Sequence, residues 1–288
     1  MGIDQPLNYL NIKPGDKIDV SAWSKFDKNK KAETELRPEN YLPSLKDALA
    51  HQAAEANLSL PDFLDEGGKI KMAGVSDLKS HEYLVNVQEE TFSREAGKSL
   101  EVWRRDKERS SANLTEMALT VMLHKFLKEN FIVARSSDFD DYNNGVDQVL
   151  VYKATGEVVC GFDEVIVNPS DKAETFKKTS KLEKIMAKGG ANIQYGAKMQ
   201  DGNLVRAEVR KVPAFYMSLS KAELVELLES LKNNPEKITP IEEKIFGQLL
   251  DSLREQVAGK NLNPDLRAKT QSALEKLHTG FNQDKLVA

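Results

Sequence analysis

Residues 145–167 read GVDQVLVYKATGEVVCGFDEVIV. The first nine, GVDQVLVYK, predict a strand, Thr155 and Gly156 a turn, and EVVCGFDEVIV, residues 157–167, a second strand. This second run is apolar over most of its length, as expected of a strand in the middle of a sheet. Its two acids, Asp163 and Glu164, therefore stand out. A carboxylate inside an apolar strand is costly unless it is paired or bound to a metal.

Working outward, residues 113–130 predict a helix whose apolar face is Leu114, Met117, Ala118, Val121, Met122 and Phe126. Asn113 is its expected N-cap, with Glu116 at the third helical position. FIVARSS, residues 131–137, is another strand, and DFDDYNNG, residues 138–145, a turn. Downstream, a lysine-rich helix is expected over residues 173–188, stopped by Gly189 and Gly190. Asp201 and Gly202 mark a hairpin, and VPAFYMSLS, residues 212–220, is a last strand. Helix, three strands, helix and further strands predict an α/β core: a mixed sheet flanked by helices.

The flanking segments are plainer. Residues 1–109 read as a partly helical extension. It has a helix over 44–57 capped by Ser44, a turn at Gly67 and Gly68, and HEYLVNVQ as a short strand or the start of a helix. Residues 94–109 are charged, with helical period around Leu100 and Trp103. Residues 220–288 predict three helices. The first opens with a Ser220–Glu223 capping box, the second with Thr239, Pro240 and Glu242 in the same pattern, and the third at Asn263–Pro264, ending at Gly280. Three segments result: 1–109, a core over 110–219, and 220–288.

Composition narrows the class. With 288 residues, 40% hydrophobic and 30% charged, the chain can bury a substantial core. Its net charge of −4 does not announce a nucleic-acid binder, so such binding would need a local basic surface. One cysteine, Cys160, excludes an intrachain disulfide and suits a reducing compartment. MGIDQPLNYLNIKPGD lacks a basic segment followed by an apolar one, and Pro6 stands where myristoylation needs Ser or Thr. No apolar run approaches ~18 residues. A cytoplasmic chain without a membrane span is expected, and its oligomeric state is left open.

Acids sit at three points of the core: Glu116 on the first helix, Asp147 at the start of one strand, and Asp163 with Glu164 in the next. Carboxylates on adjacent strands can converge on a hard divalent cation such as Mg²⁺, which can polarise a phosphodiester and help to activate water. In order and spacing these residues resemble the PD-(D/E)XK, or restriction-endonuclease-like, nuclease superfamily, over a little more than a third of the chain. More narrowly, residues 145–165, the lysine-rich helix, GGANIQYG and VPAFYMSLS resemble a bacterial branch of that superfamily. The resemblance implies a restriction-endonuclease-like fold and metal-dependent cleavage of nucleic acid with Mg²⁺ or Mn²⁺. Glu116 corresponds to the helix acid, Asp147 to the first metal-binding acid, and Asp163, with Glu164 beside it, to the second.

One departure is chemical. Two residues after Asp163 the family has a lysine, where this chain has Val165. Either the lysine has migrated, with Lys177, Lys178 and Lys181 of the following helix as replacements, or the site is inactive and the fold serves interaction. Lys177, Lys181, Lys184 and Lys188 share one helical face that could hold phosphates, as could Lys178. Each residue also has a plain structural reading: Glu116 in a capping box with Asn113, Asp147 closing a turn, the lysines as a solvated face. Gly97-Lys98-Ser99 lacks the preceding glycine and strand of a phosphate loop. His51, His81, His124 and His278 have no metal-ligand spacing, and there is no GxSxG.

Overall fold

The two runs quoted first become neighbouring antiparallel strands. The computed structural model of the protein describes residues 36–55, 63–167, 180, 183–201, 203–258, 262 and 264–285. Strands β1 (Phe131–Arg135), β2 (Gln148–Tyr152) and β3 (Glu157–Val167) form an antiparallel meander, in register Gln148 to Phe162 and Leu150 to Cys160. The turn closes with the Gly156 amide donating to Tyr152 O at 2.8 Å. A later strand, β6 (Ala214–Ser220), lies parallel to β3, pairing Phe162 with Phe215 and Glu164 with Met217. The order β1-β2-β3-β6 places the apolar strand inside a mixed four-stranded sheet. Its lone thiol, Cys160, is fully buried, and burial pushes that thiol's pKa up.

Between β3 and β6 the chain makes a separate antiparallel pair, β4 (Ala191–Gln200) and β5 (Asn203–Val212), at the hairpin expected around Asp201. Gly190 enters β4 at φ +107°, where a Cβ would lie 2.6 Å from Val212 O, so a side chain cannot stand there. Most of the helix expected over 173–188 falls outside the described residues; residues 183–187 are helical.

Helix α4 (Ser111–Leu127) packs against β1, following α1 (Leu42–Glu55), α2 (Leu78–Glu95) and α3 (Leu100–Glu108). Leu114, Met117 and Met122 are almost fully buried, each worth about 1.5–3 kcal/mol relative to exposure. The expected cap moves. Ser110 Oγ accepts from the Asn113 amide at 3.1 Å, so Ser110 is the N-cap and Asn113 lies inside the helix. Glu116 is thereby released from any capping box. Ser44 likewise lies within α1, its hydroxyl donating to Tyr41 O at 2.8 Å. HEYLVNVQ belongs to α2, and the run 94–109 is broken at Gly97 (φ +65°) before Ser99 caps α3.

The C-terminal helices are α5 (Lys221–Asn233), α6 (Pro240–Ala258) and α7 (Pro264–Lys285). The Ser220–Glu223 capping box forms. Its expected twin at Thr239 is half made: the Glu242 amide donates to Thr239 Oγ1 at 3.4 Å, but the Glu242 side chain turns inward, accepting from Ser230 Oγ at 2.8 Å and pairing with Lys125 at 2.7 Å. Gly280 does not end α7. A Cβ there would meet Phe131 at 3.3 Å and Leu127 at 3.4 Å, so the glycine marks close packing on the core helix. The described residues from Pro38 onward group as one unit, with α1, α5 and α6 all against α4. Among the described residues no helix is long and apolar enough to cross a membrane.

Candidate metal centre

Three carboxylates converge where α4, the loop after β1 and the start of β2 meet. One oxygen each from Glu116, Asp141 and Asp147 lies within 4.8 Å of the others. Asp147 is fixed on three sides. Its amide donates to Phe162 O at 2.7 Å, its carbonyl accepts from the Ser136 amide at 2.8 Å, and Oδ2 accepts from the Glu164 amide at 2.9 Å. Strand β3 thus holds the side chain of Asp147 through its backbone. Asp163 and Glu164 are both buried beside it, 6% and 4% exposed, but neither belongs to the trio of converging oxygens.

Asp141 comes from the segment expected to be a simple turn. There the chain makes a π-helical turn, Asp140–Asn144, closed by Gly145 at φ +64°. Its two aspartates do different work. Asp140, fully buried, accepts from the Gln194 and Tyr195 amides at 2.7 and 2.9 Å, from Ser137 Oγ at 2.9 Å and from Asn144 Nδ2 at 2.7 Å. That staples the turn to β4. Asp141, anchored by its neighbour, joins Glu116 and Asp147. The wide turn is what lets consecutive residues part in this way.

Cations surround the trio. Arg135, at the end of β1 and 2% exposed, donates to Glu116 Oε2 at 2.5 Å, Asn113 Oδ1 at 2.7 Å and Gly67 O at 2.8 Å. Lys69 Nζ lies 2.7 Å from Asp138 Oδ1 and 3.2 Å from Asp141 Oδ2. Lys107 also reaches Asp138, at 3.2 Å. Burial works against the charge of Glu116, yet Arg135 and Lys69 outweigh it and hold the carboxyl below its usual value. Asp141 and Asp147 go the other way. Burial, joined by the charges of Asp147 and Glu116, pushes Asp141 up to about 7 despite Lys69. Burial, with the charges of Glu116 and Asp163, pushes Asp147 up to about 6. Glu164 is raised by burial and by Asp147. Among the described residues, burial and neighbouring carboxylates thus raise Asp141, Asp147 and Glu164, while Arg135 and Lys69 hold Glu116 low.

Comparison with protein families, with curated proteins and with solved structures finds no match to this chain. The donor set is the ground for judging a metal. Three carboxylate oxygens within 4.8 Å of one another, two of them on groups that resist ionisation, fit a hard divalent cation, which prefers oxygen ligands and relieves crowding.

Of the residues singled out in sequence, Glu116 and Asp147 come together and Asp163 and Glu164 flank them. Lys177, Lys178 and Lys181 lie outside the described residues, while Lys184 and Lys188 are exposed. Val165, where the resemblance would have placed a lysine, is 2% exposed in the core. Two contributors escaped sequence reading. Asp141 was hidden in DFDDYNNG, where two adjacent aspartates look alike. Lys69 follows the Gly67–Gly68 turn, whose only legible meaning was a turn.

Proposed function

We propose that this chain is a metal-dependent nuclease-like protein of the PD-(D/E)XK type, acting on phosphodiester bonds of nucleic acid. The convergence of the Glu116, Asp141 and Asp147 oxygens within 4.8 Å carries the reading. The element order supports it: α4 followed by strands that carry Asp147 and then Asp163 has the order of helix and strands on which the resemblance rests. Glu116, Asp141 and Asp147 would hold Mg²⁺ or Mn²⁺, with Asp163 and Glu164 as the acidic wall behind them. Bound there, the ion would supply Lewis-acid polarisation of phosphate and a more acidic water. The chain's own groups orient the ligands: the Glu164 amide aims Asp147, Arg135 aims Glu116, and Asp140 anchors the turn carrying Asp141. Lys184 and Lys188, with Lys177, Lys178 and Lys181 of the same segment, are proposed to meet the phosphate backbone, one of them replacing the lysine lost at Val165.

A second reading, a catalytically inactive module for nucleic-acid or protein interaction, draws on one observation. Glu116 and Asp141 already have cationic partners in Arg135 and Lys69. The two readings part on one experiment. Wild type and Asp147→Asn are assayed with Mg²⁺ and Mn²⁺ on single- and double-stranded DNA and RNA, and melted with and without metal. The nuclease reading expects metal-dependent cleavage and a metal-induced rise in Tm, both lost in the variant. A wild type with neither leaves the inactive module.

A further inference from the structure

Lys69 lies outside the segment that resembles a nuclease core, yet its ammonium sits against one of the three converging carboxylates. It is no wandering surface lysine: its side chain is 11% exposed. The backbone leading to it is pinned. Asp65 Oδ1 accepts from the Gly67 and Lys69 amides at 2.8 and 2.9 Å, and the Asp65 amide donates to Lys69 O at 2.9 Å. The Arg135 amide donates to Gly68 O at 3.2 Å, and the Ile70 amide to Arg135 O at 3.0 Å. The lysine is thus carried on β1, the same strand whose Arg135 holds Glu116.

Its two carboxylate partners are not equivalent. Asp138 lies closer, at 2.7 Å, and has a second cation in Lys107 at 3.2 Å. Although burial opposes it, those two charges hold Asp138 below its usual value. Asp141 is farther, at 3.2 Å, and faces Glu116 and Asp147 besides. One ammonium leaves Asp141 short of compensation and Asp138 amply supplied.

We propose that Lys69 is the internal counter-cation of the proposed metal site: it occupies the cation's place at Asp141 in the metal-free protein and yields it on binding, staying on Asp138. This rests on the metal-dependent reading above and adds to it a competition built into the chain. A buried lysine that serves only the scaffold predicts the opposite response to its removal. Without its ammonium, Asp141 would lose its position and metal affinity would fall. A competing lysine, once removed, leaves the carboxylates in place and more negative, so affinity rises.

The full chain is titrated calorimetrically with Mn²⁺ and Mg²⁺ as wild type, Lys69→Met and Lys69→Arg, with melting curves in parallel. Lys69→Met is expected to bind Mn²⁺ about tenfold or more tightly, from loss of one charge a few ångströms away. It should melt lower without metal and show a larger metal-induced shift. Lys69→Arg keeps the charge and should bind no tighter than wild type. Should Lys69→Met fail to fold, Lys69→Gln supplies the neutral variant. Wild-type binding with equal or weaker binding in the neutral variant overturns the inference alone. Binding by neither overturns it together with the metal-dependent reading. Binding by the neutral variant only supports the lysine as occupant and removes the metal-dependent reading from the native chain.

Discussion

Helix α4 carries a charge near each end, Glu116 half-buried and Lys125 buried, and the two surroundings differ. Near its C-terminus Lys125 meets Glu242 at 2.7 Å, their side chains 6% and 0% exposed. The remaining valences are filled: Lys125 also donates to the carbonyls of Asn234 and Lys237 at 2.9 and 2.6 Å, and Ser230 donates to Glu242. One cation answers one anion, and the pair ties α4 to α5 and α6. Near the N-terminus Glu116 joins Asp141 and Asp147, with Asp163 and Glu164 behind, and among the described residues burial and neighbouring acids raise Asp141 and Asp147. A balanced buried pair serves architecture. A crowded cluster that raises its own pKa values is costly, and such clusters concentrate at functional sites.

The sharpest way to test that contrast is to unbalance the balanced pair. Glu242→Ala strands Lys125 in the core and is expected to cost about 3–5 kcal/mol in urea unfolding, whereas Lys125→Met with Glu242→Leu should come within ~2 kcal/mol of wild type. At the other end the opposite sign is expected. Asp147→Asn removes a repelling carboxylate and should stabilise the metal-free protein by about 1–2 kcal/mol in the same assay at neutral pH. Destabilisation there would mean that Asp147 serves as architecture after all.

The pH dependence follows from the same groups. Asp141 and Asp147 have folded-state pKa values raised to about 7 and about 6. Between their unfolded values and these, the native state binds more protons than the unfolded one. Their stabilising contribution is therefore complete only below the ordinary aspartate pKa, roughly 4, and is lost progressively as pH rises from there through about 6 and about 7. Metal-free Tm should fall between about pH 4 and pH 7, and saturating Mn²⁺ should flatten the curve, because the ion replaces the protons. Glu116 and Asp138, held low, act in the other direction and only at more acidic pH. The smallest effect is expected at the surface. Charge reversal of Lys184 and Lys188 should change stability by no more than ~0.5 kcal/mol. It should weaken any low-salt affinity for nucleic acid, measured by fluorescence anisotropy, and lower its salt dependence.

How far the sequence reached follows the same division. Strand β3 was legible to the residue because an apolar run between turn signals has one good reading, and Asp163 and Glu164 stood out against it. Glu116 was found by helical spacing, but its cap was misassigned: Asn113 and Ser110 both favour that position, and only packing chose Ser110. At Glu242 local pattern shows the amide's bond to Thr239 but not the side chain's destination, because its partner Lys125 is distant in sequence. Asp141 needed a π-turn, which has no clear sequence signature. Lys69 needed a contact between an upstream hairpin and β1. Local preferences are written locally; charge compensation across the fold is not.

Cys160 gives the molecule a built-in clock. It is the chain's lone cysteine, lies wholly buried in β3 and has a thiol whose pKa is raised by burial, so a thiol reagent can reach it only when the sheet parts. Its labelling rate therefore reads how often the central strand opens, without any engineered probe. The Glu164 amide that holds Asp147 belongs to the same strand, so a cation clasped by Glu116, Asp141 and Asp147 should lengthen the interval between openings.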